Sequence, residues 1–502
     1  MAYKLKQLVT LSLSVLVSVN VALGEDCGLN ATFTKEGIDA VYPGDGAYQN
    51  ASQPFNLRVP YQPVAITYPK NTEDVVKIVN ASASCRIPVS ARSGGHSYAA
   101  YGLGGNNGHL VVDLSHITDI VVDVNSTAKS AVIGAGNRLG NVSESLFNQS
   151  RRAMPHGTCP RVGIGGHASY GGYGFTSRQW GLTLDNIVGL TMVLANGTKI
   201  EANSSQYSDI FWAARGAAPS FGIITHFHVN TYAAPERPTF FDYQWSLPPN
   251  QTMAAISAYQ NLSLSSSIPA EIGFELNLRK GNSRGDIRVD FLGSYYGAPE
   301  NFSAIVQPFL DAMPTPPLNT TVENTTWIEH LKLLADGPPR LNDTFYAKSL
   351  MTPSNVTMSQ EAITAFVTQM STEGWDTSTD WFVQLELYGG TNSRIPKVLS
   401  NATAFANRNT LWTIQFYASS ANHLPPYPDE GISFLDGLVN SVTEKESSTW
   451  KYGAYTNYVD PLLTTSQWHS LYYGTNYARL HSIKQVVDPN GVFTFPQSIP
   501  RA

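Results

Sequence analysis

The chain has 502 residues, of which 42% are hydrophobic and 14% charged. The formal net charge of -6 leaves no basic footprint for nucleic acid. Once a leader is set aside, about 480 residues remain, too many for one hydrophobic core, so two domains are expected.

Residues 1–24 read as a secretory signal peptide. Lys4 and Lys6 make a positive start, Leu8 to Val19 an apolar run, and Ala22-Leu23-Gly24 a small-residue cleavage site. The apolar run is too short and too early to span a membrane, and no later stretch is long enough. A soluble, extracellular monomer with no membrane or nucleic-acid partner is expected. N-x-[ST] sequons are dense, among them Asn30, Asn50, Asn80, Asn125, Asn196, Asn261, Asn319, Asn355 and Asn401, which suits a glycosylated surface.

Val64 to Pro69 reads as a strand, and Asn71 as the cap of a helix that begins Thr72-Glu73-Asp74. Pro88 to Ala91 leads as a strand into a glycine loop, Arg92-Ser93-Gly94-Gly95-His96-Ser97-Tyr98. Leu110 to Leu114 and Ser130 to Gly134 are further short β-rich runs. Arg151 to Asn196 then carries Cys159, Gly163-Ile164-Gly165-Gly166-His167 and Gly171-Gly172-Tyr173-Gly174. Glycines this dense mean backbone lying close to something large and flat, or to phosphates. Gly163 to Ala168 satisfies G-x-G-x-x-A, with Asp185 further on, but Cys159-Pro160 precedes it where a strand is needed and more glycines follow where a helix is needed, so a Rossmann site is rejected. Ile187 to Leu194 followed by Asn196-Gly197 reads as a hairpin, and Phe221 to Val229 closes this block.

From about Phe240 the character changes. Strand patterns at Ile287–Tyr296 and Trp381–Tyr388 alternate with helical stretches at Ser359–Met370 and Gly431–Val442, the mark of a sheet covered by helices. The expected fold is α+β, with a first domain over 25–234, a second over 235–450, and a C-terminal segment, 451–502, returning to the first.

The glycine loops, with Arg92-Ser93-Gly94-Gly95-His96-Ser97, His156-Gly157-Thr158-Cys159-Pro160, Asn457-Tyr458-Val459-Asp460 and the tail through Phe493, resemble the vanillyl-alcohol-oxidase superfamily. The resemblance is to its berberine-bridge-enzyme-like branch, and within it to the fungal secreted oligosaccharide oxidases. It implies a two-part FAD-binding domain and FAD held by two covalent bonds, from His96 to the 8α-methyl and from Cys159 to C6. It further implies cofactor contacts at Arg92, Ser93, Gly94, Gly95, Ser97, Gly163, Gly165, Gly166, His167, Gly172 and Ile224. Three cysteines in a secreted chain are an odd set. A Cys27–Cys85 disulfide, supported by compartment and by the resemblance, is the economical pairing and leaves Cys159 for the flavin.

A flavin accepts a hydride, so the protein must position the donor carbon and take a proton. Tyr458 is the expected base, assisted by Glu386, which itself rivals it for the role. A phenol near pKa 10 needs either its pKa lowered, as an electron-poor flavin could do, or a carboxylate to take its proton. Strand alternation puts Phe382, Gln384 and Glu386 on one face, suited to a sugar ring. Gln415 on a neighbouring run and Tyr98 on the cleft floor add substrate contacts. Asn277 stands where the resemblance leads one to expect an acidic sugar contact. Val162, three residues after Cys159, stands at the family's oxygen gate, where Val admits O2. His96, His156 and His167 lack metal-ligand spacing, so no metal is expected.

The expected activity is oxidation of an oligosaccharide's anomeric hydroxyl to a lactone, with O2 reduced to H2O2. The alternatives are an oxidase or dehydrogenase of a secondary metabolite or aromatic alcohol, a flavin carrier without turnover, and a glycan-binding module.

Overall fold

The computed structural model describes residues 27–123, 129–335 and 341–501. The expected signal peptide and the Asn125 sequon lie outside the described residues. No helix among them is long and apolar enough to cross a membrane.

The N-terminal half builds two larger sheets and a two-stranded ribbon of Arg152–Ala153 and Tyr232–Ala233. In the first, Ala65–Tyr68 and Val89–Arg92 flank Leu110–Asp113 in parallel, with Asp39–Val41 antiparallel at the edge. The second is an antiparallel five-stranded sheet in the order Ile120–Val122, Ser130–Gly134, Gly222–Asn230, Ile187–Leu194 and Lys199–Asn203. The hairpin read at Asn196-Gly197 is the turn between the last two strands, and Gly197 adopts φ 75°, which a side chain would resist. Helix Thr72–Cys85 starts where Asn71 accepts from the Asp74 N–H at 3.0 Å, and it ends at a disulfide between Cys85 and Cys27.

The C-terminal half is organised by a seven-stranded antiparallel sheet. Its spatial order is Asn319–Asn324, Thr239–Leu247, Ile287–Tyr295, Ile272–Lys280, Thr379–Leu387, Thr410–Ser420 and Phe345–Pro353. Helices Pro249–Leu264, Phe302–Ala312, Gln360–Ser371 and Glu430–Thr443 cover one face. Alternate strand residues Leu276, Leu278, Val383, Leu385, Ile414 and Phe416 join their apolar faces in a single core. The opposite face therefore carries Glu275, Asn277, Gln384, Glu386 and Gln415. The remaining tail, with helix Tyr477–Val487, packs into the core of the N-terminal half through Leu480 and Ile483.

The two halves are locked by charge as well as by packing. Asp185 meets Arg408 in a two-pronged ion pair of 2.8 and 2.7 Å, with side-chain exposures of 6% and 3%. The Rossmann-like spacing thus ends on an acid that binds arginine; a short helix, Ile164–Ser169, does follow Gly163, contrary to expectation, but no strand leads directly into it, the preceding one being Arg152–Ala153. Removing one partner of so dry a pair strands the other charge. Arg408→Met is expected to cost about 3–5 kcal/mol in denaturant unfolding, and the double change with Asp185→Leu to recover much of it.

Candidate active site

A cavity of about 410 Å³ opens between the glycine loops below and the seven-stranded sheet above, within the size range of small-molecule sites. Its floor is backbone. The loop after strand Val89–Arg92 and the loop entering the short helix Ile164–Ser169 touch directly. A Cβ on Gly94 would stand 2.3 Å from the Gly163 nitrogen, and one on Gly163 would stand 2.0 Å from the Gly94 nitrogen. Only paired glycines permit that contact. A Cβ on Gly166 would meet nothing within 4 Å and would project into open space. The loops are held from behind, where Ser93 Oγ donates to the Ala135 carbonyl and accepts from the Gly165 N–H. Arg92 is anchored by Asp113 and by the Ala51 carbonyl.

His96 and Cys159 both line this floor, and Cys159 is a free, half-buried thiol. Burial, reinforced by the guanidinium groups of Arg138 and Arg161, lowers the His96 pKa to about 4, so its imidazole is neutral at working pH. His167 is lowered to about 3 by burial and by His156, and its Nε2 accepts from the Gly157 N–H at 3.1 Å. Ser97, Gly165, Val162 and Ile224 line the same space. Gly172 does not. It sits behind the wall with φ 82°, its N–H bonded to Tyr455 Oη at 2.8 Å.

The roof supplies the chemistry. Tyr458, on a short turn at Thr456–Tyr458, donates to Glu386 Oε1 at 2.7 Å, and Glu386 Oε2 has no hydrogen-bond partner. Burial, with the nearby Glu386 charge, holds the Tyr458 phenol well above its ordinary value. Burial, then the charge of Glu275, holds Glu386 well above the carboxylate range, against the opposing effect of the Tyr458 hydrogen bond. The protein's own groups thus raise the phenol and set a carboxylate within hydrogen-bond reach of its proton. Tyr98 lies parallel to Tyr458 with ring centroids 5.9 Å apart, and its hydroxyl accepts from Gln415 Nε2 at 2.8 Å.

Gln384 and Gln415 reach the cavity; Asn277 and Phe382 do not line it. Phe382 stacks on Tyr417 at 4.9 Å. Asn277 donates to Glu275 Oε1 at 3.1 Å, and Gln384 donates to the same oxygen at 2.8 Å. Glu275 lies directly opposite Glu386 across the two strands and lines the cavity. The acid missing at 277 is therefore present two residues earlier, on the same strand face, where alternation alone would have found it. Tyr455 also escaped the sequence reading. Its hydroxyl accepts from the Gly172 N–H and from Asn457 Nδ2 at 2.9 Å, which ties the Tyr458 turn to the floor, but an irregular turn has no periodicity to reveal it. Phe55, stacked on His96 at 4.3 Å, had no sequence signal.

Comparison with known proteins agrees with this architecture. Residues 63–203 match the FAD binding domain family and residues 454–500 the berberine and berberine-like family. The chain is 36% identical to a carbohydrate oxidase of Microdochium nivale, over 97% of this chain and 98% of that one. It is 34% identical to a chitooligosaccharide oxidase of Gibberella zeae, over 94% and 95% respectively. Among solved structures, the glucooligosaccharide oxidase from Acremonium strictum, described with a 6-S-cysteinyl, 8α-N1-histidyl FAD, superposes with a TM-score of 0.87. It is 31% identical, over 95% of this chain and 99% of that one. With glycine loops shaped for a flat cofactor and similarity along nearly the whole length, this chain belongs to the berberine-bridge-enzyme-like family of FAD-linked oxidoreductases, alongside the fungal oligosaccharide oxidases.

Proposed function

We propose that the protein oxidises the anomeric hydroxyl of an oligosaccharide to a lactone and reduces O2 to H2O2. The observation that carries this reading is the Tyr458–Glu386 pair, which faces His96 and Cys159 across one cavity. The names of the relatives, carbohydrate and chitooligosaccharide oxidases, point to sugars as the substrate class. His96 and Cys159 hold FAD covalently, and Arg92, Ser93, Gly94, Gly95, Ser97, Gly163, Gly165, Gly166, His167 and Ile224 surround it, with Gly172 shaping the wall behind.

When bound, FAD accepts the hydride from the sugar carbon and passes both electrons to oxygen. Tyr458 Oη takes the hydroxyl proton and hands its own to Glu386. A phenol this far above its ordinary pKa is not ionised beforehand, so the two proton movements are coupled. Raising Glu386 makes its ionised form a stronger proton acceptor. Gln384, Gln415 and the Tyr98 hydroxyl bind the sugar's hydroxyl edges. Phe382, stacked on Tyr417, extends an apolar platform outward, and Asn277 supports Gln384 through Glu275. Among the described residues, the sequon asparagines Asn30, Asn50, Asn80, Asn196, Asn261, Asn319, Asn355 and Asn401 are exposed, which supports a glycosylated, secreted protein.

Acid-precipitated protein is expected to stay yellow, as are His96→Ala and Cys159→Ala alone, while the double variant releases its FAD. Complete release from either single variant would reject the two-bond arrangement. For proton removal, Tyr458→Phe is expected to slow flavin reduction by about 10²–10⁴-fold, with little change in sugar affinity. Glu386 has a raised pKa, so its ionised, accepting form is present above that pKa and is lost as pH falls through it. Stopped-flow reduction by native protein should fall along that limb. Glu386→Gln should lack the limb, so the two rates diverge at high pH and converge at low pH. Val162 lines the cavity beside Cys159, and Val162→Ile should slow reoxidation in air-saturated buffer. Slow reoxidation of the native protein, with fast turnover on a quinone dye, would make it a dehydrogenase.

A further inference from the structure

Between the disulfide-tied N-terminus and the first strand of the parallel sheet, residues 51–58 cross from the floor of the cavity to its roof. Arg92 Nη1 grips the Ala51 carbonyl at 2.6 Å. Phe55 and Leu57 exchange backbone hydrogen bonds with Asp343, the Asp343 N–H to the Phe55 carbonyl at 2.9 Å and the Leu57 N–H to the Asp343 carbonyl at 2.7 Å. Between them the fully buried Asn56 side chain donates to the carbonyls of Tyr98, at 2.7 Å, and Phe345, at 3.0 Å. One carboxamide thus clasps the loop that carries His96 to the edge strand of the seven-stranded sheet.

This clasp fixes the ring of Phe55. Its face lies on the imidazole of His96, with centroids 4.3 Å apart and planes 23° from parallel, while Phe345 meets its other side edge-on at 5.7 Å. His96 needs such a restraint. It follows Gly94 and Gly95, the latter at φ 74°, two residues that have no side chain to pack against it. A ring free to turn about χ1 and χ2 presents its nitrogen to a fixed carbon only part of the time.

We propose that Phe55 is the positioning residue for the histidyl–flavin bond, holding the His96 imidazole in the plane from which it joins the cofactor. The proposal rests on the two-bond reading of the site. In that step an imidazole N–H and one C–H of the flavin 8-methyl are replaced by an N–C bond. The two protons and two electrons leave to dioxygen, which becomes H2O2. A neutral imidazole, as burial enforces here, has the lone pair the step requires. Cys159 lies on a different loop, and the ring stack of Phe55 is with His96, so the cysteinyl bond should form independently.

The test is the mass of the flavin peptides. Protein is produced without FAD, loaded with FAD in air, and digested at intervals; the His96 and Cys159 conjugates are then quantified separately. In Phe55→Ala the histidyl conjugate should form at least about fivefold more slowly, the scale of a lost aromatic stack, while the cysteinyl conjugate forms at the native rate. Phe55→Tyr, which keeps the stack, should restore it. Phe55→Leu, which keeps bulk without a flat face, should behave as Phe55→Ala does and stands in for it if that variant does not fold. A native rate of histidyl bonding in Phe55→Ala or Phe55→Leu overturns the proposal. So does an equal loss of both conjugates, which would mark Phe55 as merely structural. Absence of the His96 conjugate from native protein would instead overturn the two-bond reading.

Discussion

A 2.7 Å hydrogen bond between Tyr458 Oη and Glu386 Oε1 joins the C-terminal turn to a central strand of the large sheet, in a space from which water is largely excluded. Both groups sit far from their ordinary ionisation because the charged form of each is poorly solvated there. The surrounding architecture serves to keep that pair dry and aimed at one plane. Tyr455 ties the turn to the floor. Asp460, the last residue of the same element, accepts from Tyr346 Oη at 2.6 Å and pairs with Lys348 Nζ at 2.8 Å, tying it to the sheet's edge strand. Glu275 opposes Glu386 from the neighbouring strand and adds like charge to the cost of burial.

The floor obeys a different constraint. Where functional side chains come from above, the lower surface must let backbone approach a flat group, and side chains there would stand in the way. Gly94 and Gly163 therefore pack backbone to backbone, while Gly166 leaves its side open. The histidines at this level are held neutral by desolvation, His96 near 4 and His167 near 3, so the floor offers lone pairs and N–H groups without positive charge on the imidazoles.

Much of this was legible because it follows short-range rules. Alternation along Thr379–Leu387 placed Gln384 and Glu386 on one face, capping marked the helix after Asn71, and glycine density marked the floor. What stayed hidden depends on residues distant along the chain. Asp185 finds Arg408, Asn56 finds Tyr98 and Phe345, and neither pairing leaves a local pattern. Glu275 shares its strand face with Asn277, which the resemblance singled out, and alternation along Ile272–Lys280 is enough to place it there. Phe382 was correctly given a face, yet its ring turned sideways onto Tyr417, a choice made by packing that period alone does not specify.

The clasp between residues 55–57 and Asp343, together with the return of the tail at Tyr455–Asp460, interleaves the first and last thirds of the chain within one cavity. The N-terminal core itself takes in Leu480 and Ile483 from the tail, and the cavity closes only when residue 460 is in place. Synthesis proceeds from the N-terminus, so the glycine loops and both flavin-bonding residues emerge long before the roof that completes the site. Cofactor loading is therefore an event of the finished polypeptide. FAD has to be on hand wherever the folding of this chain ends, because a site closed by its last residues admits the cofactor only then.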